Sequence, residues 1–434
     1  MNKGINTNKI ASTCLCLLIF LPTYILSFYF DMEVYMAVCV LLMSAFMIYR
    51  SRNNWLMLII FGFIFYCNYS SILFHYFGIG LTTGNSYSNY YKTNTSYYGI
   101  QTLYLFTFLL CIFLLWIRDL GKGNDFVFKP NFDSNDKNWL IGIATSFIML
   151  LVLFFGFKTS SSGRIDATAI GEYSIIFLII GFWFCKNNRV IRVVLLFESL
   201  VFCAIGLFGG SRIAEVQVLI LLFLVFFVYK VKRKRHLILP LLLALIFLKA
   251  IGTVRGDSIS LISIEKSLEY LLKSGFSFDT AFSAYHTSLV ICDVSELLTF
   301  SERIELLWRF VLSIFLGGSV ENSSLSVYIK QYHWSGGGGF LPFYFDFYLG
   351  HFGTILISML VGIYISLLAR LQKNNFLSCL SIYLCATVPR WYLYSPTALF
   401  RGLLLFSLVF FLFSLLSTKK MQLNTTCNSL SEEL

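Results

Sequence analysis

What most constrains this chain is a succession of apolar runs, each about as long as a lipid bilayer is thick. A helix needs about 20 mostly apolar residues to cross one. Such runs fall near residues 10–30, 33–49, 55–75, 99–117, 139–157, 170–185, 190–208, 213–229, 237–254, 348–369, 376–390 and 399–417. The fold expected is therefore all-α, a polytopic membrane protein with about twelve transmembrane helices. Composition agrees: 57% of the 434 residues are hydrophobic and only 13% are charged, with a mean hydropathy of +0.75. Soluble chains run about 45–50% apolar and about 25% charged.

The charges orient the runs. The formal net charge is +11, which on a soluble protein would suggest nucleic acid. Here the basic residues cluster at the ends of apolar runs, where they set topology, so no nucleic-acid partner is expected. With the N-terminus in the cytoplasm, the cytoplasmic connections hold Arg50 and Arg52; Arg118, Lys122, Lys129 and Lys137; Lys186, Arg189 and Arg192; Lys230 to Arg235; and Arg370 and Lys373. The tail adds Lys419 and Lys420. The first opposite loops are Asp31-Met32-Glu33 and a Ser/Asn/Tyr-rich stretch with Lys92 alone. Both termini are thus predicted cytoplasmic. No small-x-small cleavage site follows the first run, which is read as a retained helix. The 11 cysteines are scattered, without a CxxC pair, and read as small apolar residues.

Four regions follow: residues 1–255 with helices one to nine, a large outer loop 256–347, helices ten to twelve in 348–417, and a tail 418–434. The loop carries two stretches with helical apolar spacing, Ile262–Lys273 and Glu302–Leu316, the second stopping at Gly317-Gly318. Both suit the membrane surface. Tyr332-His333-Trp334-Ser335 then precedes Gly336 to Gly339 and Pro342. Glycine there allows backbone to approach a ligand. After Lys420 the tail is polar and predicted disordered.

The candidate site residues are the basic groups left on the outer side, where the orientation rule disfavours them. Phe208-Gly209-Gly210-Ser211-Arg212 joins two apolar runs with no loop between them. An arginine so near hydrocarbon is costly, about 2.5–3.5 kcal/mol at a helix centre and less toward an interface. It is kept where something anionic meets it, and its planar donor set suits phosphate. Arg255 ends the ninth run beside Asp257; Arg390 and Arg401 flank the last outer turn; Arg164 follows Ser160 to Gly163. Arg212, Arg255 and His333 are the candidate catalytic groups, His333 as a proton acceptor. Arg164, Asp257, Gly336, Gly337, Arg390 and Arg401 are candidate substrate contacts. Asp346 is an alternative base or a helix-start anion, and the other histidines, His351 among them, have no comparable setting. Glu198, Glu215 and Lys249 lie in or near apolar runs, where ion pairs or hydrogen bonds within the bundle are expected and a proton path is the sharper alternative. The sequence has no Walker A, HExxH or GxSxG motif and no acidic pair of DxD type in the first outer loop.

These pieces together resemble the O-antigen and related oligosaccharide repeat-unit polymerases of bacteria (Wzy-type): Gly209-Gly210-Ser211-Arg212 opening a span, Arg255 before the long outer loop, His333-Trp334-Ser335-Gly336-Gly337 late in it, then Tyr348-Leu349-Gly350-His351-Phe352-Gly353. The resemblance implies a multi-pass protein of the bacterial inner membrane with the large loop in the periplasm. It implies that undecaprenyl-pyrophosphate-linked oligosaccharides are joined at the periplasmic face, with the family's two arginines falling on Arg212 and Arg255. It implies no cofactor and no metal, membrane lipid as surroundings, and room for a chain-length regulator as partner. An O-antigen ligase differs only in its acceptor. A lipid-linked oligosaccharide flippase fits the helix number but predicts two similar halves, which the sequence lacks.

Overall fold

The computed structural model describes residues 7–77, 95–117, 138–159, 165–209, 213–228, 231, 272, 279–333, 338–368 and 375–431. The ninth apolar run and most of the stretch 262–273 lie outside the described residues.

The other runs are helical. In chain order they are α1 (Thr7–Leu26), α2 (Glu33–Ser51), α3 (Trp55–Phe77), α4 (Thr95–Trp116), α5 (Trp139–Phe155), α6 (Ala169–Phe184), α7 (Arg189–Phe208) and α8 (Ile213–Leu222), which continues as a π turn over Phe223–Phe227. A short antiparallel hairpin, β1 (Phe157–Thr159) with β2 (Ile165–Ala167), joins α5 to α6 and sets Phe157 opposite Ala167. Then follow α9 (Asp279–Leu297), α10 (Phe300–Leu316), α11 (Leu325–Tyr328), α12 (Leu341–Leu349), α13 (His351–Leu368), α14 (Asn375–Ala386), α15 (Val388–Leu393) and α16 (Thr397–Ser431). Among the described residues, five helical segments are long and apolar enough to cross a bilayer: Glu33–Ser51, Trp55–Phe77, Ser96–Trp116, Arg189–Leu207 and Thr397–Leu416. Shorter apolar helices accompany them, so the chain is a mostly helical, multi-pass membrane protein.

The chain folds as two interleaved units. Unit 1 comprises Met1–Phe126, Ser263–Leu371 and Val388–Ala398; unit 2 comprises Val127–Ile262, Gln372–Thr387 and Leu399–Leu434. In unit 1, α4 is the central helix, packed against α1, α2, α9, α12 and α13. Close approach needs small residues. A Cβ on Gly99 of α4 would lie 2.4 Å from Leu289 of α9, and one on Gly362 of α13 would lie 2.5 Å from the Phe113 ring of α4. Asn68, fully buried, joins three elements: its Nδ2 donates to Ser44 Oγ of α2 (3.1 Å), and its Oδ1 accepts from the Tyr392 hydroxyl of α15 (2.8 Å). In unit 2, α5 packs on α6 and α7, while α14 packs on α6 and α8.

Three places depart from the sequence-based expectation. The stretch expected as an outer loop contains α9, a 19-residue helix packed on α3, α4 and α12. Its buried Tyr285, His286, Thr287 and Ser288 keep its hydropathy low, which hid it from a search for apolar runs. The run near 348–369 is not one helix from its start but breaks at Gly350, between α12 and α13. The tail expected to be disordered continues α16 to Ser431, since no glycine or proline follows Gly402 in that helix.

α10 begins with a capping box: Thr299 N–H and its hydroxyl both donate to Glu302 Oε2 (2.8 Å each), and Glu302 N–H donates to Thr299 Oγ1 (3.4 Å). Those donors hold the Glu302 carboxyl below the ordinary glutamate value. Its contribution to α10 is thus complete above the unfolded value, about 4.3, and is lost as pH falls through the lower folded value. A Glu302→Gln variant should be less stable than the parent at pH 7, with the difference shrinking toward pH 3, as read by hydrogen exchange of α10. For the buried bridge, Asn68→Leu leaves the Tyr392 hydroxyl unsatisfied and should cost about 1–3 kcal/mol. Adding Tyr392→Phe should recover part of that loss in a thermal melt of detergent-solubilised protein.

Candidate functional site

One end of unit 1 gathers polar side chains. It holds the C-termini of α1 and α3 and the N-termini of α2 and α4. Ser96 donates to Glu33 Oε1 (2.7 Å), the Tyr76 hydroxyl donates to the Ser96 carbonyl (3.2 Å), and Tyr76 and Tyr285 share a hydrogen bond (3.0 Å). The Tyr97 hydroxyl donates to the Phe30 carbonyl (2.7 Å).

Asp346 lies at this end. Its last-turn position on α12 would ordinarily suit a cation, because helix C-termini carry partial negative charge. The chain instead turns sharply at Gly350 (φ 64°, ψ −156°), whose N–H donates to the Asp346 carbonyl (2.6 Å), and restarts as α13 at His351. Side chains five apart on one continuous helix point about 140° away from each other. The break cancels that divergence. His351 Nδ1 lies 3.0 Å from Asp346 Oδ1, and Thr354 Oγ1 donates to the same oxygen at 2.9 Å. Asp346 is 2% exposed, whereas the His351 side chain is 23% exposed. The pair is therefore anchored in protein and open on its histidine side.

The imidazole is walled by rings. Tyr98 stacks on it at 4.8 Å, and Tyr24 and Phe28 meet it edge-on at 6.0 and 6.1 Å. An ionised carboxylate only accepts hydrogen bonds. With Asp346 as such a carboxylate, Nδ1 donates to it and Nε2 is left as the basic nitrogen. This is the arrangement of a general base held by an acid.

The sequence-based candidates distribute as follows. Arg164, Arg212, Arg255, Asp257, Gly336 and Gly337 lie outside the described residues. His333 and Arg390 belong to unit 1, and Arg401 to unit 2, where its guanidinium lies 5.7 Å from the centre of the Tyr173 ring. In unit 1 the far end of the glycine run meets the turn after Arg390. Gly338 (φ 81°) sits where a Cβ would come within 2.8 Å of the Leu393 carbonyl, and the Tyr344 hydroxyl donates to the Tyr394 carbonyl (2.6 Å). Phe340 N–H donates to Ser288 Oγ of α9 (2.8 Å). In unit 2, Ile165 N–H donates to the Gly209 carbonyl (2.9 Å). A Cβ on Gly209 would lie 2.4 Å from that of Ile165, so glycine is what allows the contact. Glu198, buried in α7, accepts from Ser146 of α5 (2.5 Å), and Glu215 is buried in α8 against Gly206. Lys249 lies outside the described residues.

The Asp346–His351 pair is what sequence reasoning missed. The usable signal was Gly350 between a carboxylate and a histidine, with Thr354 four residues past the break. Comparison of the chain with protein-family models, with curated proteins and with solved structures gives no match.

Gly350 has φ and ψ values that are essentially glycine-only, and a Cβ there would touch nothing within 4 Å. Gly350→Ala should therefore cost about 1–3 kcal/mol through backbone strain alone. A thermal melt that falls no further than that of Gly318→Ala, at another glycine with nothing within 4 Å of an added Cβ and no positive φ, would refute the strain argument.

Proposed function

We propose that this protein is an inner-membrane glycosyltransferase of bacteria, similar to the Wzy-type polymerases, that joins undecaprenyl-pyrophosphate-linked oligosaccharide units at the periplasmic face. The observation that carries the proposal is the Asp346–His351 pair: a buried acid holding a half-open histidine inside a box of tyrosine and phenylalanine rings. Aromatic faces suit sugar rings, and a held imidazole suits removal of a proton from a hydroxyl.

The topology proposed with it has about twelve spans, cytoplasmic termini and a large periplasmic region between the ninth and tenth spans. That topology places the Asp31–Glu33 connection outside, and with it the end of unit 1 that holds the pair. On the donor side, the resemblance assigns Arg212 and Arg255 to the pyrophosphate, with Arg164 as a further substrate contact.

The step is a displacement at the anomeric carbon of the donor sugar. The acceptor hydroxyl, from the non-reducing end of another lipid-linked unit, loses its proton to His351 Nε2. Asp346 holds the imidazole by its other nitrogen and stabilises the imidazolium that forms. The acceptor oxygen bonds to the anomeric carbon, and the bond from that carbon to the pyrophosphate oxygen breaks. The leaving pyrophosphate takes the electron pair, and stabilising its charge is the role the resemblance gives Arg212 and Arg255. His333 and the glycine run after it are proposed to contact the acceptor chain.

His351→Ala should lower polymer synthesis by about 10²–10⁴-fold, the usual contribution of a general base. Arg212→Ala should abolish polymer while single lipid-linked units accumulate. The measurement is a gel of surface polysaccharide from cells carrying each variant, with membrane levels of the protein checked by immunoblot. A normal ladder from either stably inserted variant rejects its assigned role. Loss of every band above bare core from cells lacking the protein would favour a ligase or flippase instead.

A further inference from the structure

α10 has three faces rather than two. On a helix of about 3.6 residues per turn, Leu306, Phe310 and Ser313 share one side, and all three are buried. That side packs on α12, with the Phe310 ring stacked at 6.0 Å from Tyr348, and Arg303 Nη1 donates to the Phe347 carbonyl (3.2 Å). Glu302, Glu305 and Arg309 form a second, polar side, where Arg309 pairs with Glu305. Phe300, Ile304, Trp308, Val311 and Phe315 fall within an arc of roughly 80° and form the third. Trp308 is 61% and Phe315 67% exposed, and Phe300 and Ile304 are exposed as well. Among the described residues of unit 1, nothing covers Phe300, Ile304, Trp308 or Phe315.

We propose that this third face is seated in bilayer lipid, so that α10 lies along the membrane surface and fixes the depth of the Asp346–His351 pair. Lipid is the occupant for two reasons. Unit 1 already contains the bilayer-length apolar segments Glu33–Ser51, Trp55–Phe77 and Ser96–Trp116, so hydrocarbon is its surrounding solvent. The helix that directly follows α12 also exposes an apolar stripe, Phe352, Leu356, Met359, Ile363 and Leu367. Stripe and charges occupy separate sides of α10, the pattern of a helix at the headgroup boundary. Its charges cancel, Glu302 and Glu305 against Arg303 and Arg309. Apolar contact therefore holds it, and anionic lipid adds little. The bond from Arg303 to Phe347, the residue after Asp346, sets the acid–histidine pair at the level of α10. A reacting group delivered there has to arrive at headgroup depth, as one attached directly to a membrane lipid does. The seating in lipid stands whether or not the protein is a polymerase.

The experiment uses the full chain in phosphatidylcholine nanodiscs, with p-benzoylphenylalanine placed at position 304, 308, 315, 305 or 309 in turn. All five replace side chains outside the buried face, so the fold is retained. After irradiation, lipid adducts are counted by mass spectrometry. The expectation is at least tenfold more lipid adduct at 308 and 315 than at 305 and 309. Replacing half the lipid by phosphatidylglycerol should change the yield less than twofold. Equal yields at 308 and 305, cross-linking of 308 to a second copy of the chain in place of lipid, or a tenfold rise with phosphatidylglycerol would each overturn the proposal. Polymer synthesis is not the readout, so a failure of the polymerase assignment leaves this result standing.

Discussion

A carboxylate buried as fully as that of Asp346 has lost its water, and losing it costs several kcal/mol per ion unless hydrogen bonds and counter-charge offset the loss. Much of unit 1 is arranged around that requirement. His351 and Thr354 reach the same oxygen because the chain breaks at Gly350. Tyr98 brings in α4, and Tyr24 and Phe28 bring in the end of α1. Arg303 reaches across from α10 to the last turn of α12, where carbonyls lack helical partners. Remove the break, and the acid faces away from the histidine while the rings lose the object they enclose.

Much of this fold is legible in the sequence, because lipid makes a simple demand: long apolar runs become helices. α2, α3, α4 and α7 follow their runs closely, and the stop of α10 at Gly317 follows from the glycine pair after it. Legibility ends where polar residues turn inward. α9 buries Tyr285, His286, Thr287 and Ser288, with Tyr285 bonded to Tyr76 of α3 and Ser288 to the start of α12, so its pattern looks like that of a loop. The acid–histidine pair was hidden for a related reason. Five residues is the wrong spacing on an unbroken helix, and only the conformation at Gly350 makes it right. Arginine placement directs attention to Arg212 and Arg255, whereas the described geometry gathers around Asp346.

Unit 2 manages its buried acids differently. Among the described residues, Glu198 has a serine for company, and Glu215 fits into space left by Gly206. Neither is presented to solvent as His351 is. The hairpin of unit 2 is tied to the end of α7 through backbone, Ile165 to Gly209, at a point where any side chain on residue 209 would push the two apart.

The bond between Tyr392 and Asn68 closes a loop of 324 residues. A ribosome adding about 5–20 residues per second needs roughly 20–60 s to make that much chain. Throughout that interval Asn68 sits in a membrane helix with Ser44 as the partner already synthesised. The hydroxyl that completes its bonding belongs to one of the last helices made. The earliest spans therefore insert long before their polar interior is satisfied, and the closing of unit 1 is timed by the arrival of α15.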